Sequence, residues 1–303
     1  MIDTRVKICG VEFKNPVITA SGTFNFGEEY NEYFDVGKLG GICVKGLTPM
    51  PREGNPPPRI LEVPGGILNS VGLQNPGVST FVDEVLPRIL KFNTNIIANI
   101  SGNTVEEYCE MAEKLSDTEV SMLEMNISCP NVRQGGAAFG TDAKMVEHIT
   151  KEVKKYSRQP LIVKLSPNVT SVAEIAQAAE CGGADAISLI NTLLGMKIDI
   201  KTKRPLLKNN VGGLSGPAVR PIAVRMVWQV KNAVSLPVIG MGGIMTAEDA
   251  IEFMLAGASL VAVGTASLIN PCAATEIAEG IEKYMLENNI LNVDELIGGV
   301  LPY

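Results

Sequence analysis

The feature that most constrains the fold is a regular alternation of short apolar runs with stretches of helical pattern. Each run is rich in β-branched residues and ends in polar or glycine residues. The eight runs are Pro16–Ser21, Gly41–Lys45, Asn95–Asn99, Met122–Asn126, Leu161–Lys164, Ala186–Asn191, Pro237–Met241 and Leu260–Gly264. Eight strand–helix units in 303 residues predict a closed parallel barrel, the (β/α)8 or TIM barrel. An open doubly wound sheet is disfavoured because no Gly-rich dinucleotide fingerprint follows the first run.

Sequence signals between the runs support this prediction. Helix starts with capping-box spacing are expected at Thr104–Glu107, Ser171–Glu174 and Thr246–Asp249. A short hairpin is expected at Val6–Phe13, before the first run. Two connections, 47–78 and 193–216, are long, and loops of this length are usually active-site or binding loops. We therefore predict a single domain, residues 1–303, with an N-terminal β-hairpin and long active-site loops.

Composition narrows the possible partners. The net charge of -7 disfavours binding to nucleic acid, because an acidic protein repels phosphate backbones. No apolar run approaches the roughly 20 residues that span a bilayer. The six cysteines are scattered and form no C-x-x-C pair, so we expect no metal site and a reducing, cytoplasmic setting. His148 is the only histidine and is predicted on the exposed face of a helix, so a different group would have to move protons.

Polar and glycine residues collect where the predicted strands end. In such a barrel the carboxyl ends of the strands form the active-site face, so these residues should meet at one mouth. They are Ser21, Lys45, Asn99, Asn126, Lys164, Asn191, Gly242, Gly243, Gly264 and Thr265. The two glycine turns after the last two strands predict a phosphate site, because bare backbone N–H groups can approach an anion there. Individually these residues also suit structural roles: Asn caps helices, Gly forms turns, and Lys164 could pair with a carboxylate of the barrel.

Cys129 lies in the segment Asn126–Asn131, directly after the fourth run. A thiol can act as a base if its pKa falls toward the working pH, although a free cysteine is most often a small buried apolar residue. The other five cysteines fall on the hairpin, on helices, inside a strand or in a late turn. Position therefore favours Cys129 as the catalytic base.

Three segments resemble those of class 1 dihydroorotate dehydrogenases: Asn69–Gly77, Asn126–Asn131 and Gly212–Pro217. The resemblance covers nearly the whole chain, and a cysteine at position 129 is typical of class 1. The segments Gly72–Gly77 and Lys201–Pro205 resemble those of the NAD-linked type 1B more than those of the fumarate-linked type 1A.

The resemblance implies that the chain holds FMN and oxidises dihydroorotate to orotate in pyrimidine biosynthesis. Cys129 would remove the C5 proton while hydride passes from C6 to flavin N5, and Lys164 would stabilise the reduced flavin. The implied cofactor contacts are Ser21, Lys45, Gly46, Asn99, Asn126, Lys164, Ile190, Gly216, Gly242, Gly243, Gly264 and Thr265. The implied substrate contacts are Lys45, Asn69, Ser70, Val71, Gly72, Leu73, Asn126, Asn191 and Thr192, with Asn131 as a further candidate.

Type 1B relatives imply a partner subunit that carries FAD and a [2Fe-2S] cluster, in a heterotetramer built around a homodimer of this chain. Three alternatives remain open at this stage. They are a fumarate-linked dihydroorotate dehydrogenase, another FMN barrel such as a tRNA dihydrouridine synthase, and a barrel that only binds a phosphorylated ligand. The acidic net charge disfavours the second alternative, and Cys129 with Lys164 at one mouth disfavours the third.

Overall fold

Residues 2–127 and 139–301 are described by a computed structural model of the chain. In chain order, the strands are β1 (Val6–Ile8), β2 (Val11–Phe13), β3 (Val17–Thr19), β4 (Gly41–Cys43), β5 (Ile60–Val63), β6 (Gly66–Asn69), β7 (Asn95–Ile100), β8 (Met122–Asn126), β9 (Leu161–Lys164), β10 (Ala186–Leu189), β11 (Leu193–Gly195), β12 (Ile198–Asp199), β13 (Arg204–Pro205), β14 (Gly212–Ser215), β15 (Val238–Met241) and β16 (Leu260–Val263).

Eight of these strands close into a parallel barrel in the order β3-β4-β7-β8-β9-β10-β15-β16, with β16 pairing back onto β3. Strands β8, β9, β10, β15 and β16 are buried along their whole length, as expected when helices cover the outside and side chains fill the inside. The predicted (β/α)8 barrel is confirmed, and the antiparallel pair β1–β2 confirms the N-terminal hairpin.

The α-helices of the described chain are α1 (Val78–Thr80), α2 (Leu86–Ile89), α3 (Val105–Ser116), α4 (Ala143–Lys154), α5 (Val172–Cys181), α6 (Arg220–Lys231), α7 (Ala247–Leu255), α8 (Thr265–Ile269) and α9 (Ala273–Glu287). A π-helical segment, Phe81–Val85, joins α1 to α2. Only 3-10 turns, at Tyr30–Glu32 and Val36–Lys38, connect β3 to β4, so the first crossover departs from the regular strand–helix repeat.

The predicted helix starts are found at the expected residues. Thr104, Ser171 and Thr246 each cap a helix by accepting a hydrogen bond from the backbone N–H three residues later. Of these three caps, the one at Thr246 alone is a full capping box, because the carboxylate of Asp249 also accepts from the Thr246 N–H. His148 lies on α4 and is exposed, as predicted.

The two long connections pair with each other. Strands β5 and β6 come from the first connection and β11 and β14 from the second, and they form one antiparallel sheet in the order β11-β14-β6-β5. Loops were predicted for both connections, and no short-range pattern in the sequence indicated this sheet. Its strands carry side chains over the barrel mouth and so form one wall of the site described below. Among the described residues, no helix combines the length and apolar character needed to cross a membrane.

Candidate active site

A cavity of about 670 Å³ opens at the carboxyl ends of the barrel strands. It brings together nearly all of the residues that the sequence analysis selected. Those that line it are Ser21, Lys45, Gly46, Asn69, Ser70, Val71, Gly72, Leu73, Asn99, Asn126, Lys164, Ile190, Asn191, Thr192, Gly242, Gly243, Gly264 and Thr265. Gly216 does not line the cavity. Cys129 and Asn131 lie outside the described residues.

The wall after β15 and β16 is built from backbone. Gly242 and Gly243 have positive φ angles of 127° and 82°, a conformation that L side chains adopt at a cost. A Cβ on Gly243 would lie 2.8 Å from the Gly216 carbonyl oxygen, and a Cβ on Gly216 would lie 2.6 Å from the Gly66 Cα. The absence of a side chain at Gly216 thus lets the β14 turn pack against Gly66, and the absence of one at Gly243 lets the Gly216 carbonyl approach the glycine wall. Next to this wall, the Thr265 hydroxyl donates to the Ser215 hydroxyl at 2.9 Å.

A buried polar network centred on Glu124 lies beneath the floor of the cavity, where Asn99 and Lys164 line it. Glu124 Oε1 accepts from Asn99 Nδ2 at 2.6 Å and forms an ion pair with Lys164 Nζ at 3.3 Å. Its Oε2 accepts from the Ser188 hydroxyl at 2.8 Å, and the Cys43 thiol also donates to Oε1 at 3.3 Å. All five side chains point into the barrel, since Asn99 is opposite Glu124 in register and Lys164 is opposite both Asn126 and Ser188.

Electrostatics within this network favour the ionised carboxylate. Burial alone would raise the pKa of Glu124, but the Lys164 charge and the hydrogen bonds from Ser188 and Asn99 outweigh it and lower the pKa overall. For the buried Cys43 thiol, burial and the neighbouring carboxylate raise the pKa well above its usual value. Pairing of Lys164 with a carboxylate of the barrel was left open by the sequence, and Glu124 is that carboxylate. A lone charged residue in the apolar run Met122–Asn126 was the signal that could have revealed it.

Lys45 supplies a second cation to the cavity, just beyond the end of β4. It is half-buried, and burial, together with the charge of Arg59, lowers its pKa. In the described part of the chain no carboxylate lies within ion-pair distance of Lys45. A half-buried ammonium in this setting is suited to an anionic ligand.

Amide side chains line the side of the cavity at the ends of β8 and β10. Asn191 Nδ2 donates to Asn126 Oδ1 at 3.2 Å, while Asn191 Oδ1 accepts from the Thr192 N–H at 2.8 Å. Asn168, which the sequence analysis missed, donates to the Thr192 carbonyl at 3.0 Å and accepts from the Leu194 N–H at 3.0 Å. It holds the start of β11 beside the cavity. Its position four residues beyond β9 was the available signal. The other polar side chains that line the cavity outside the predicted set are Thr23, Thr141, Ser166, Asn209 and Ser215.

The segment Asn69–Leu73 turns over the cavity after β6. Gly72 and Leu73 have positive φ angles of 82° and 57°. Asn55 fixes this turn, because its side chain donates to the Ser70 carbonyl at 2.8 Å and its N–H donates to the Val71 carbonyl at 2.8 Å. The Ser70 hydroxyl oxygen is buried and has no hydrogen-bond partner among the described residues, which leaves it available to a ligand.

These features fit a flavin mononucleotide. The glycine wall leaves room for a phosphate against the backbone, and Gly46 leaves room on the floor, since a Cβ there would lie 2.8 Å from Asn99 Oδ1. That oxygen is buried without a partner in the described chain, which typically costs about 1–3 kcal/mol unless a ligand satisfies it. Lys164 provides positive charge at the floor. Fold and site together define a (β/α)8-barrel enzyme whose active-site cavity is built for an anionic, hydrogen-bonding cofactor and a small polar substrate.

Comparison with known proteins gives the family. The family model described as "Dihydroorotate dehydrogenase" matches residues 3–285. A protein of Alkaliphilus metalliredigens named "Dihydroorotate dehydrogenase B (NAD(+)), catalytic subunit" is 59% identical over 299 residues, which is 99% of each chain. Proteins with the same name from Alkaliphilus oremlandii (60% identical, 97% of each chain) and Lachnoclostridium phytofermentans (58% identical, 99% of this chain and 100% of that one) are similar to the same extent. The chain belongs to the dihydroorotate dehydrogenase family.

Proposed function

We propose that this chain oxidises dihydroorotate to orotate in pyrimidine biosynthesis, as the FMN-containing catalytic subunit of an NAD-linked enzyme. The observation that carries the proposal is the convergence of two lysines, several asparagines and a glycine wall on one cavity in a member of this family. The names of the similar proteins, which include NAD(+), support the NAD-linked type over the fumarate-linked type.

The cofactor is held by the floor and the glycine wall. Gly242, Gly243, Gly264 and Thr265 bind its phosphate through backbone and hydroxyl groups. The remaining cofactor contacts are Ser21, Lys45, Gly46, Asn99, Asn126, Lys164 and Ile190. When bound, FMN supplies the two-electron acceptor for the hydride that leaves C6 of dihydroorotate. The Lys164 ammonium would place a positive charge beside the cofactor and so would favour negative charge there.

The substrate is held by cation and amide groups. Lys45 binds the carboxylate of dihydroorotate, because it is a half-buried cation with no carboxylate partner in the described chain. Asn69, Asn126 and Asn191 each offer a donor and an acceptor to the pyrimidine-dione edge. The turn over the cavity and Thr192 complete the set of contacts.

Cys129, three residues beyond the end of β8 in sequence, is the proposed base. It takes the proton from C5, the C5–H electron pair becomes the C5–C6 double bond, and the hydride leaves C6.

The visible spectrum of the purified chain tests this function. We expect a flavin absorption band that released cofactor identifies as FMN, and we expect anaerobic dihydroorotate to bleach it. Dihydrouracil, which lacks the carboxylate that Lys45 binds, is the matched control and should bleach it far more slowly. Two results would overturn the proposal: a chain that is purified without flavin and does not bind added FMN, or a flavin band that dihydroorotate leaves unchanged.

A second subunit carries the electrons onward to NAD+. The names of the similar proteins contain the words "catalytic subunit", which supports a partner. We propose that this partner holds FAD and a [2Fe-2S] cluster and that two copies of each subunit form a heterotetramer. The isolated chain should then reduce artificial dyes but neither NAD+ nor fumarate, and adding the partner should confer NAD+ reduction. Rapid turnover of the isolated chain with fumarate would refute the partner and indicate the fumarate-linked type.

A further inference from the structure

We infer that Glu124 is a positioning residue that fixes the direction of the Asn99 amide, so that Asn99 presents its carbonyl oxygen, a hydrogen-bond acceptor, to the bound cofactor. Glu124 does not line the cavity, whereas Asn99 does. This inference rests on the proposed function, because FMN is the ligand that the acceptor would meet.

The chemistry of the contact fixes the amide. An ionised carboxylate only accepts hydrogen bonds, so the Asn99 atom at 2.6 Å from Glu124 Oε1 has to be the NH2 group. The lowered pKa of Glu124 keeps the carboxylate ionised at neutral pH. Asn99 Oδ1 must then point away from Glu124, and it lies toward Gly46, on the floor of the cavity.

The oxygen that results is prepared for a ligand. Asn99 is 0% exposed, and its Oδ1 has no hydrogen-bond partner among the described residues. Buried polar atoms in native proteins are nearly always satisfied, so an unsatisfied acceptor beside the cofactor cavity indicates a donor that arrives with the ligand. An amide free to turn would offer this acceptor only part of the time.

The rest of the network explains why the carboxylate itself cannot turn. Glu124 is anchored by donors from four other strands: Cys43 on β4, Asn99 on β7, Lys164 on β9 and Ser188 on β10. Its two oxygens are occupied from different sides, with Ser188 on Oε2 and the other three donors on Oε1. Fixed donors and acceptors of this kind lower the cost of ordering a site when the ligand binds.

A double-mutant cycle on FMN affinity tests the inference, with apo-protein titrated into FMN and the loss of flavin fluorescence recorded. Glu124→Gln keeps the shape but removes the charge that fixes the amide. Asn99→Ala removes the acceptor. We expect each single variant to bind FMN about ten- to a hundredfold more weakly, since a hydrogen bond to a buried group is lost. The double variant should bind within about threefold of Asn99→Ala alone, because Glu124 acts through Asn99.

Asp185→Asn is the matched control. It likewise replaces a paired carboxylate by an amide, but Asp185 pairs with Lys154 just before the start of β10, at the end of that strand away from the cavity, and neither residue lines the cavity. Its affinity for FMN should stay within about twofold of wild type, and its effect should multiply with that of Asn99→Ala. Thermal unfolding of each apo-protein reports any loss of fold. If Glu124→Gln does not fold, the cycle is run with Glu124→Asp, which keeps the charge but withdraws it by one methylene from Asn99.

Two results would overturn the inference: wild-type affinity in the Glu124 variant, or losses that multiply in the double variant, as expected for a merely structural carboxylate. Failure of the wild-type apo-protein to bind FMN is a different result. It would overturn the proposed function and the inference together, so the two failures are distinguishable.

Discussion

Replacing Gly243 by aspartate should abolish tight FMN binding, and the structure allows the size of the effect to be worked out. Gly243 has φ +82°, which costs a non-glycine residue about 1–2 kcal/mol. The new Cβ would lie 2.8 Å from the Gly216 oxygen and 2.8 Å from the Arg220 Cβ, so the wall itself must shift. A carboxylate about 4 Å from the cofactor phosphate adds a repulsion of about 4 kcal/mol per unit charge at an effective dielectric constant near 20.

Charge and shape can be separated by a second variant. Gly243→Ala carries the backbone and contact costs alone, whereas Gly243→Asp adds the repulsion, equivalent to about a thousandfold in affinity before solvent screening. Gly183→Ala is the matched control, because it also has a positive φ, +90°, but its Cβ meets only the Lys154 Cγ at 3.7 Å, far from the cavity. FMN affinity of reconstituted protein, measured at two salt concentrations, is the assay. Gly243→Asp protein with a full complement of tightly bound FMN would refute the assignment of the phosphate site.

Three further predictions address the floor and the base. Cys129→Ala should leave FMN bound, but dihydroorotate should reduce the flavin about 10²–10⁴-fold more slowly. Cys129→Ser should recover part of this reduction rate at high pH. A near-normal rate of single-turnover reduction in Cys129→Ala would exclude Cys129 as the base. Lys164→Ala should lower the flavin reduction potential, and it should destabilise the fold by about 3–5 kcal/mol because the buried Glu124 loses its cation. The double variant with Glu124→Gln should regain the stability but not the reduction potential. An unchanged reduction potential in Lys164→Ala would indicate a purely structural lysine. Since the pKa of Glu124 is lowered on folding, its contribution to stability is present above its ordinary pKa of 4.5 and is lost as pH falls below it. In Glu124→Gln the free energy of unfolding should therefore fall less steeply than in wild type as the pH drops below about 4.5. A fall as steep as that of wild type would contradict the lowered pKa of Glu124.

Local patterns in the sequence predicted the barrel closely. The bounds of β8 and β9 match the predicted runs, and Thr104, Ser171 and Thr246 cap helices where the spacing indicated. These features depend on neighbouring residues, which a sequence displays directly. Predicted strands that ended too late, such as Pro16–Ser21 against the observed Val17–Thr19, did so because their last residues leave the sheet to line the cavity.

Contacts between distant segments were not predictable in the same way. Strand β6 pairs with β14 across more than a hundred residues of chain, and no short-range pattern records that pairing. The role of Gly216 depends equally on distant partners, since its small size matters only beside Gly65 and Gly66. Glu124 was not among the predicted site residues because it lies inside a strand, whereas the predicted residues lie at strand ends. The family assignment was confirmed because it relied on specific segments such as Gly212–Pro217.

An anaerobic titration of the isolated chain with dihydroorotate tests the central claim most directly. Flavin absorbance is followed while the product is separated and identified. The account predicts that each FMN is bleached by one equivalent of dihydroorotate and that one equivalent of orotate forms, without any partner subunit. Flavin that stays oxidised in folded, FMN-loaded protein, or bleaching without orotate, would contradict it.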